Sequence, residues 1–293
     1  MGGARRSIAL VGVAALLTSF GFACDDLTVP TQPDGGVTPQ GDGGIQPTSL
    51  ELPPYAPKDA IKGEVRNLMN SNLGTWATLG PDGKVATIGW NFPLTLAAAL
   101  ESSPNDIRIY MDLPMEAKRD TVMQCQSHGF MPAGHVPNGV YNTPHFDYHV
   151  GYASIDEFKA VDCSDATLPP PSMVPPGVVI IPPPENCVAQ MGIHGIFFRA
   201  PEFNGQRFTI SSVNIYYRGK KEIAKGLTAI PYSWEPKFTV QTAKERKSWT
   251  QDIPVMPPGA FGRSGKQPTK MVQTYLPEYD AYIVELNTWV DAT

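Results

Sequence analysis

Three of the five histidines in this 293-residue chain fall in one sixteen-residue run, Gly134-His-Val-Pro-Asn-Gly-Val-Tyr-Asn-Thr-Pro-His-Phe-Asp-Tyr-His149. Side chains of an extended strand alternate between its two faces, so residues two apart project together. A strand over the end of this run places His145, Asp147 and His149 on one face and Phe146 and Tyr148 on the other. Two imidazoles and a carboxylate on one face suit direct ligation of zinc, iron, copper or manganese, or proton transfer without a metal. His135 or His194 would complete a ligand set from a neighbouring loop or strand; His128 is the weakest candidate. Successive residues on one face lie about 7 Å apart along the strand, a long span for ligands that each sit about 2 Å from a shared ion. One histidine with Asp147 is therefore a better ligand pair than His145 with His149. The competing reading is structural: a carboxylate flanked by imidazoles forms a buried hydrogen-bonded network that holds strand register.

Other chemistries leave no trace. The chain has no Gly-x-Ser-x-Gly elbow, phosphate loop or dinucleotide fingerprint. A net charge of −5 and a pI near 5.5, with no basic aromatic-rich patch, argue against nucleic-acid binding. A small-molecule ligand, an envelope protein partner and homo-oligomer formation all stay open. Of the four cysteines, Cys163 and Cys187 bracket a proline-rich excursion and could form a disulfide, leaving Cys125 as a buried free thiol. Their spacing fits no zinc motif.

The N-terminus reads as an export signal over residues 1–23. Arg5 and Arg6 precede an apolar run from Ile8 to Phe22, too short for a comfortable membrane span. Gly21-Phe22-Ala23-Cys24 resembles the cleavage box of bacterial lipoproteins, with Gly21 where that pattern usually has Leu. Cys24 would then carry lipid, palmitate included, and anchor the chain in a membrane outside the cytoplasm. Residues 24–54 are rich in Pro, Gly, Asp, Gln and Thr and poor in apolar side chains, a composition expected to form a disordered tether. Residues 55–293 are expected to make a single globular domain.

That domain carries thirty prolines and 27 glycines along with the rest of the chain, which favours turns over helices. Residues 74–90 read as a hairpin turning at Pro81-Asp82-Gly83. Strands are expected at 106–113, 121–127, 207–217, 221–232 and 281–290, the middle pair forming a hairpin around Arg218-Gly219-Lys220. Helices are expected at 58–69, at 93–101 behind Pro93, and at 154–159, where Ser154 and Glu157 form a capping box. The fold class is mainly β, an antiparallel barrel or sandwich with a few short helices.

From Gly74 to about Trp234 the chain resembles a family of secreted bacterial proteins whose founding member is controlled by an extracytoplasmic sigma-E/anti-sigma-E system. The resemblance runs through Tyr110-Met-Asp-Leu-Pro114, His135-x-Pro-x-Gly-Val-Tyr141, Pro144-His-Phe-Asp-x-His149, Met191-Gly-Ile-His194 and Ile215-Tyr-Tyr-Arg-Gly-Lys220. Tyr148 stands where the family has Phe, Gly195 where it has Trp, and the Glu-Pro-Met segment after its late hairpin is absent. The resemblance implies an envelope location and no established reaction. Taken together, the expected protein is an extracytoplasmic lipoprotein with a binding or structural role, its His/Asp cluster structural or metal-holding. The alternative is a metal-dependent enzyme that uses the same cluster, similar to the cupin class though without its ligand spacing.

Overall fold

The computed structural model describes residues 50–135, 139–164, 168–181, 187–216 and 231–292. The export signal, Cys24 and most of the tether lie outside these residues. So does the turn at 218–220. From Ser49 onward the chain forms one compact unit. Its beginning lies slightly before the expected boundary, because Pro53 is already buried.

The first sheet opens with β1 (Ile61–Leu68), β2 (Ser71–Leu79) and β3 (Val85–Pro93). The expected helix over 58–69 is instead a turn followed by β1. Met69 and Asn70 both take positive φ, the geometry of a two-residue hairpin turn, and pairing with β2 overrides the weak helical propensity of the segment. The expected hairpin at Pro81-Asp82-Gly83 joins β2 to β3, with Gly83 at φ 71°. Helix α1 (Leu94–Leu100) follows Pro93 and leads the chain across to the second sheet.

That second sheet takes β4 (Ile107–Asp112), then α2 (Met115–Asp120), β5 (Cys125–Met131) and β6 (His145–Gly151). The strand expected at 121–127 starts later and runs further, because residues 121–124 form the connection from α2. Next come α3 (Ile155–Lys159), β7 (Val178–Ile180), β8 (Cys187–Val188), β9 (Gly192–Phe197), β10 (Ile210–Tyr216) and β11 (Pro231–Thr239). The strand expected at 221–232 falls mostly outside the described residues; the observed strand, β11, overlaps its last two positions and runs on to Thr239. Helix α4 (Val240–Lys244) returns the chain to the first sheet through β12 (Trp249–Asp252), β13 (Lys266–Leu276) and β14 (Ala281–Asp291).

The strand orders are β1-β2-β3-β14-β13-β12 and β4-β5-β6-β11-β10-β9-β7, with β8 also paired to β9, and every strand pairing is antiparallel. The sheets do not close on each other, so of the two expected architectures the sandwich is the one formed. Between them lie Trp90 and Phe92 of β3, Phe146 and Tyr148 of β6, Trp234 and Phe238 of β11, and Tyr282 of β14, all essentially inaccessible. The Phe92 and Phe146 rings meet edge-on at 4.8 Å, and Trp90 meets Tyr148 at 5.6 Å.

A second, smaller apolar layer covers the opposite face of the second sheet. It comprises Cys125, Ala153, Phe158, Val161, Met191, Val213 and Ile215. The Ser154/Glu157 capping box starts α3 as expected and places Phe158 in this layer. Cys163 and Cys187 form a disulfide at a Cα–Cα distance of 6.0 Å, tying the excursion between them to β8. Cys125 is a buried free thiol.

Two expectations follow. His128 faces the core against Phe92 and Tyr148, and neither ring nitrogen has a hydrogen-bond partner. Burial pulls its pKa down to about 3. The unfolded chain then binds a proton near pH 6.5 that the folded chain refuses, so stability falls as pH drops below 6.5. His128→Leu should raise stability by about 1–3 kcal/mol at pH 7, and it should also remove about 2 kcal/mol of the wild-type loss between pH 7 and pH 5. Urea unfolding at both pH values measures each effect. Replacing Cys163 and Cys187 by Ser should cost about 3 kcal/mol, from the loop of 24 residues that the disulfide closes, read as a lowered denaturation midpoint.

A buried histidine-carboxylate cluster as the candidate metal centre

The alternation of β6 divides the motif as its spacing requires. Phe146, Tyr148 and Val150 enter the core between the sheets, and His145, Asp147 and His149 face the other way, all at most 1% exposed. Register then adds partners on the same face. In β11, Lys237 pairs directly with Asp147 and Thr239 with His145, so Glu235, two residues before Lys237, also projects to this side. Ser127 of β5 pairs with His149. On β9, His194 pairs with Ile215 of β10. Gly192 sits at φ 125°, and a Cβ there would collide with the Tyr216 carbonyl; only glycine lets the start of β9 lie this close to β10. His135 comes from the loop before β6, held by a backbone bond from its N–H to the Tyr141 carbonyl.

Two groupings emerge. His135, His145 and Asp147 each offer a ligand atom, all within 4.8 Å of one another, and His145 Nε2 lies 3.4 Å from Asp147 Oδ1. Glu235 lies between the other two rings, with Oε1 3.8 Å from His149 Nε2 and Oε2 3.8 Å from His194 Nε2. Lys237 Nζ stands between the groupings, 3.2 Å from Glu235 Oε1 and 3.3 Å from His135 Nε2, with the Tyr141 ring 4.8 Å away. Tyr141 is anchored by donating to Glu202 at 2.9 Å, and Ser211 donates to the same carboxylate.

Backbone contacts orient the rings. The Thr143 carbonyl takes the Nδ1–H of His145 at 2.7 Å and the Gly192 carbonyl takes that of His194 at 3.0 Å. A carbonyl can only accept, so each neutral ring presents a bare Nε2 lone pair to the cluster. His149 Nδ1 meets the Ser127 hydroxyl at 2.9 Å. This arrangement, Nδ1 engaged and Nε2 directed inward, is that of metal-ligating histidines.

Two cations act on the cluster, Lys237 within it and Arg108 of β4 beside it. Burial, outweighing nearby Asp147, keeps His145 below its usual pKa; burial also holds His149 well below and His194 at about 3. The rings are therefore neutral. Burial works against an ionised Asp147, but the ammonium of Lys237 overcomes it and holds this carboxyl below the carboxylate range. Glu235 goes the other way, raised by burial and by the proximity of Asp147 against the pull of Lys237. Neither oxygen of Asp147 or Glu235 accepts a hydrogen bond, nor does His145 Nε2 or His149 Nε2 have a partner. One ammonium with three N–H groups is set against four carboxylate oxygens and the Nε2 atoms of four rings.

Of the residues expected from sequence, the structure brings His135, His145 and Asp147 together and leaves His149 with a different carboxylate. The reason is strand geometry: four residues span about 13 Å, so His145 and His149 stand at opposite ends of the cluster. His194 joins the His149 end. His128, on the core face of β5, takes no part. Sequence reasoning missed Glu235, Lys237 and the half-buried Arg108 of β4. Glu235 and Lys237 lie in β11, far along the chain from the histidine motif, and carry no local signal that ties them to it. Beside the cluster lies a cavity of about 300 Å³ lined in part by Phe130, Thr143, Arg207 and Thr239; it shares Thr143 with the site. His194 and the half-buried His135 are the ligand candidates nearest solvent.

Fold and site together define an antiparallel two-sheet sandwich with a polar histidine-carboxylate layer buried on the outer face of one sheet. No protein-family model matches the chain, and no curated protein and no solved structure shows significant similarity to it.

Lys237→Met should destabilise the metal-free protein by about 3–5 kcal/mol, because it leaves buried carboxylates without their cation. Adding Glu235→Gln should recover a substantial part of that loss. A denaturation double-mutant cycle measures the coupling, and additive effects would contradict the charge pairing described here.

Proposed function

We propose that this chain is a lipid-anchored protein of the bacterial cell envelope that binds a divalent transition metal through His135, His145 and Asp147. The observation that carries the reading is the buried, unpartnered set of atoms at this point: His145 Nε2 and both Asp147 oxygens lack hydrogen bonds, within 4.8 Å of the His135 ligand atom. In a purely structural network the imidazole N–H groups would satisfy the carboxylate. Here the His145 N–H is spent on the Thr143 carbonyl, and a lone pair faces the carboxylate instead. A cation between them turns that repulsion into two bonds. Two imidazoles and one carboxylate suit borderline divalent ions such as zinc, cobalt or iron(II).

The anchoring rests on the sequence: Arg5 and Arg6, the apolar run to Phe22, the small residues before Cys24 and the polar spacer behind it. Among the described residues no helix is long and apolar enough to cross a membrane. Attachment through lipid on Cys24 and a spacer of some twenty-five residues would hold the sandwich off the bilayer while leaving it mobile.

Two experiments test the reading. Chelator-stripped chain should take up Co²⁺ or Zn²⁺ in stoichiometric amount by elemental analysis, and His145→Ala with Asp147→Asn should lower the bound metal by one equivalent. Unchanged metal content in a folded variant would sink the assignment. Cys24→Ser should move the protein from the membrane to the soluble fraction and abolish incorporation of labelled palmitate.

A further inference from the structure

We propose that the cavity beside the cluster is a binding site for a small aromatic monocarboxylate, with Arg207 pairing its charge. None of the residues that form this site belongs to the His135, His145 and Asp147 set, so the site exists with or without a bound metal.

The cavity has a volume of about 300 Å³, at the small end of those that hold organic ligands. Its apolar walls are held in place. Phe130, 1% exposed, lines it together with Pro132, Pro144 and Val240. The two proline rings restrict their own backbone, and the Val240 N–H donates to the Pro144 carbonyl at 3.1 Å. Thr239 is committed to the same wall, for its hydroxyl accepts from the Thr242 N–H and caps α4. The shape is therefore formed before a ligand arrives, which lowers the cost of binding.

The polar groups of the cavity are free to serve a ligand. Arg207 forms no ion pair or hydrogen bond among the described residues, and the Thr143 hydroxyl and Gln241 amide make no side-chain hydrogen bond among them either. Glu101 also lines the cavity, but Lys244 holds its carboxylate at 2.8 Å. Arg207 is thus the unbalanced charge. A guanidinium meets a carboxylate through two parallel N–H···O bonds. A flat ring suits the remainder, because it buries apolar surface against Phe130 and the prolines with little rotamer freedom to lose. A bare anion would leave the apolar walls unused, and a neutral aromatic would leave Arg207 unpaired.

Calorimetric titration of benzoate into the chelator-stripped full-length chain tests the site, with benzamide and acetate as controls. Benzoate should bind with one-to-one stoichiometry, and each control should bind about tenfold more weakly or worse. Arg207→Met should weaken benzoate by about tenfold or more and leave the unfolding midpoint unchanged. Gln241→Trp should fill the cavity and remove binding. Both variants change exposed side chains, so neither threatens the fold. No benzoate binding at millimolar concentration would overturn the site. Equal affinity for benzamide or for acetate would overturn the ligand class. Benzoate affinity unchanged in Arg207→Met would place the anion elsewhere and overturn the assignment, with loss in Asp147→Asn showing that the histidine cluster had taken it.

Discussion

Lys237 stands directly across from Asp147 on the neighbouring strand, and this one cross-strand pair sets the terms for the whole buried layer. Antiparallel register brings opposed residues to the same face. Once Lys237 faces Asp147, Glu235 must lie on that face too, beside His149 and within reach of His194. The charge of Lys237 keeps Asp147 ionised where burial would protonate it, while burial and the neighbouring Asp147 push Glu235 toward its neutral form. Two carboxyl groups on neighbouring strands are thereby held in different states. A one-residue slip of β11 on β6 would send Lys237 into the aromatic core and Phe238 into the charged layer. The fold therefore has a strong reason to keep this register.

The second constraint is that the charged layer is roofed. A sandwich commonly exposes the outer faces of its sheets to water, yet here α3, Met191 and the segments around the Cys163–Cys187 disulfide bury one of them. Water is excluded from a place dense in lone pairs, which strengthens every interaction within it and raises the cost of any group left unpaired. Such a roof over unsatisfied polar atoms is difficult to account for by packing alone, since aliphatic residues on the same strands would pack at lower cost.

Much of this architecture was legible residue by residue. The alternation His-Phe-Asp-Tyr-His predicted both faces of β6, the Pro-Asp-Gly turn predicted β2–β3, and Ser154 with Glu157 predicted α3. The segment at 58–69 was misread because its local helical propensity is real, and only pairing with β2 shows that it is a strand. The grouping of the histidines was legible only in part. Strand spacing already favoured one histidine with Asp147 over His145 with His149, and the structure places His149 beside Glu235, a carboxylate from another strand. Glu235 and Lys237 carried little local signal, being ordinary charged residues in a strand whose distance in sequence from the histidine motif is close to ninety positions.

By itself, the sequence determined the class of fold, the export-like N-terminus and the side of β6 on which the imidazoles stand, because periodicity, apolar run length and turn chemistry are local properties. Tertiary structure alone decided which charges meet. Contact between Glu235 and His194, or between Lys237 and His135, depends on the order of strands in the sheet and on register across it, and those are settled by the packing of Phe146, Tyr148, Trp234 and Phe238 on the opposite face. The aromatic core between the sheets thus chooses the ligand set on the far side of the strands.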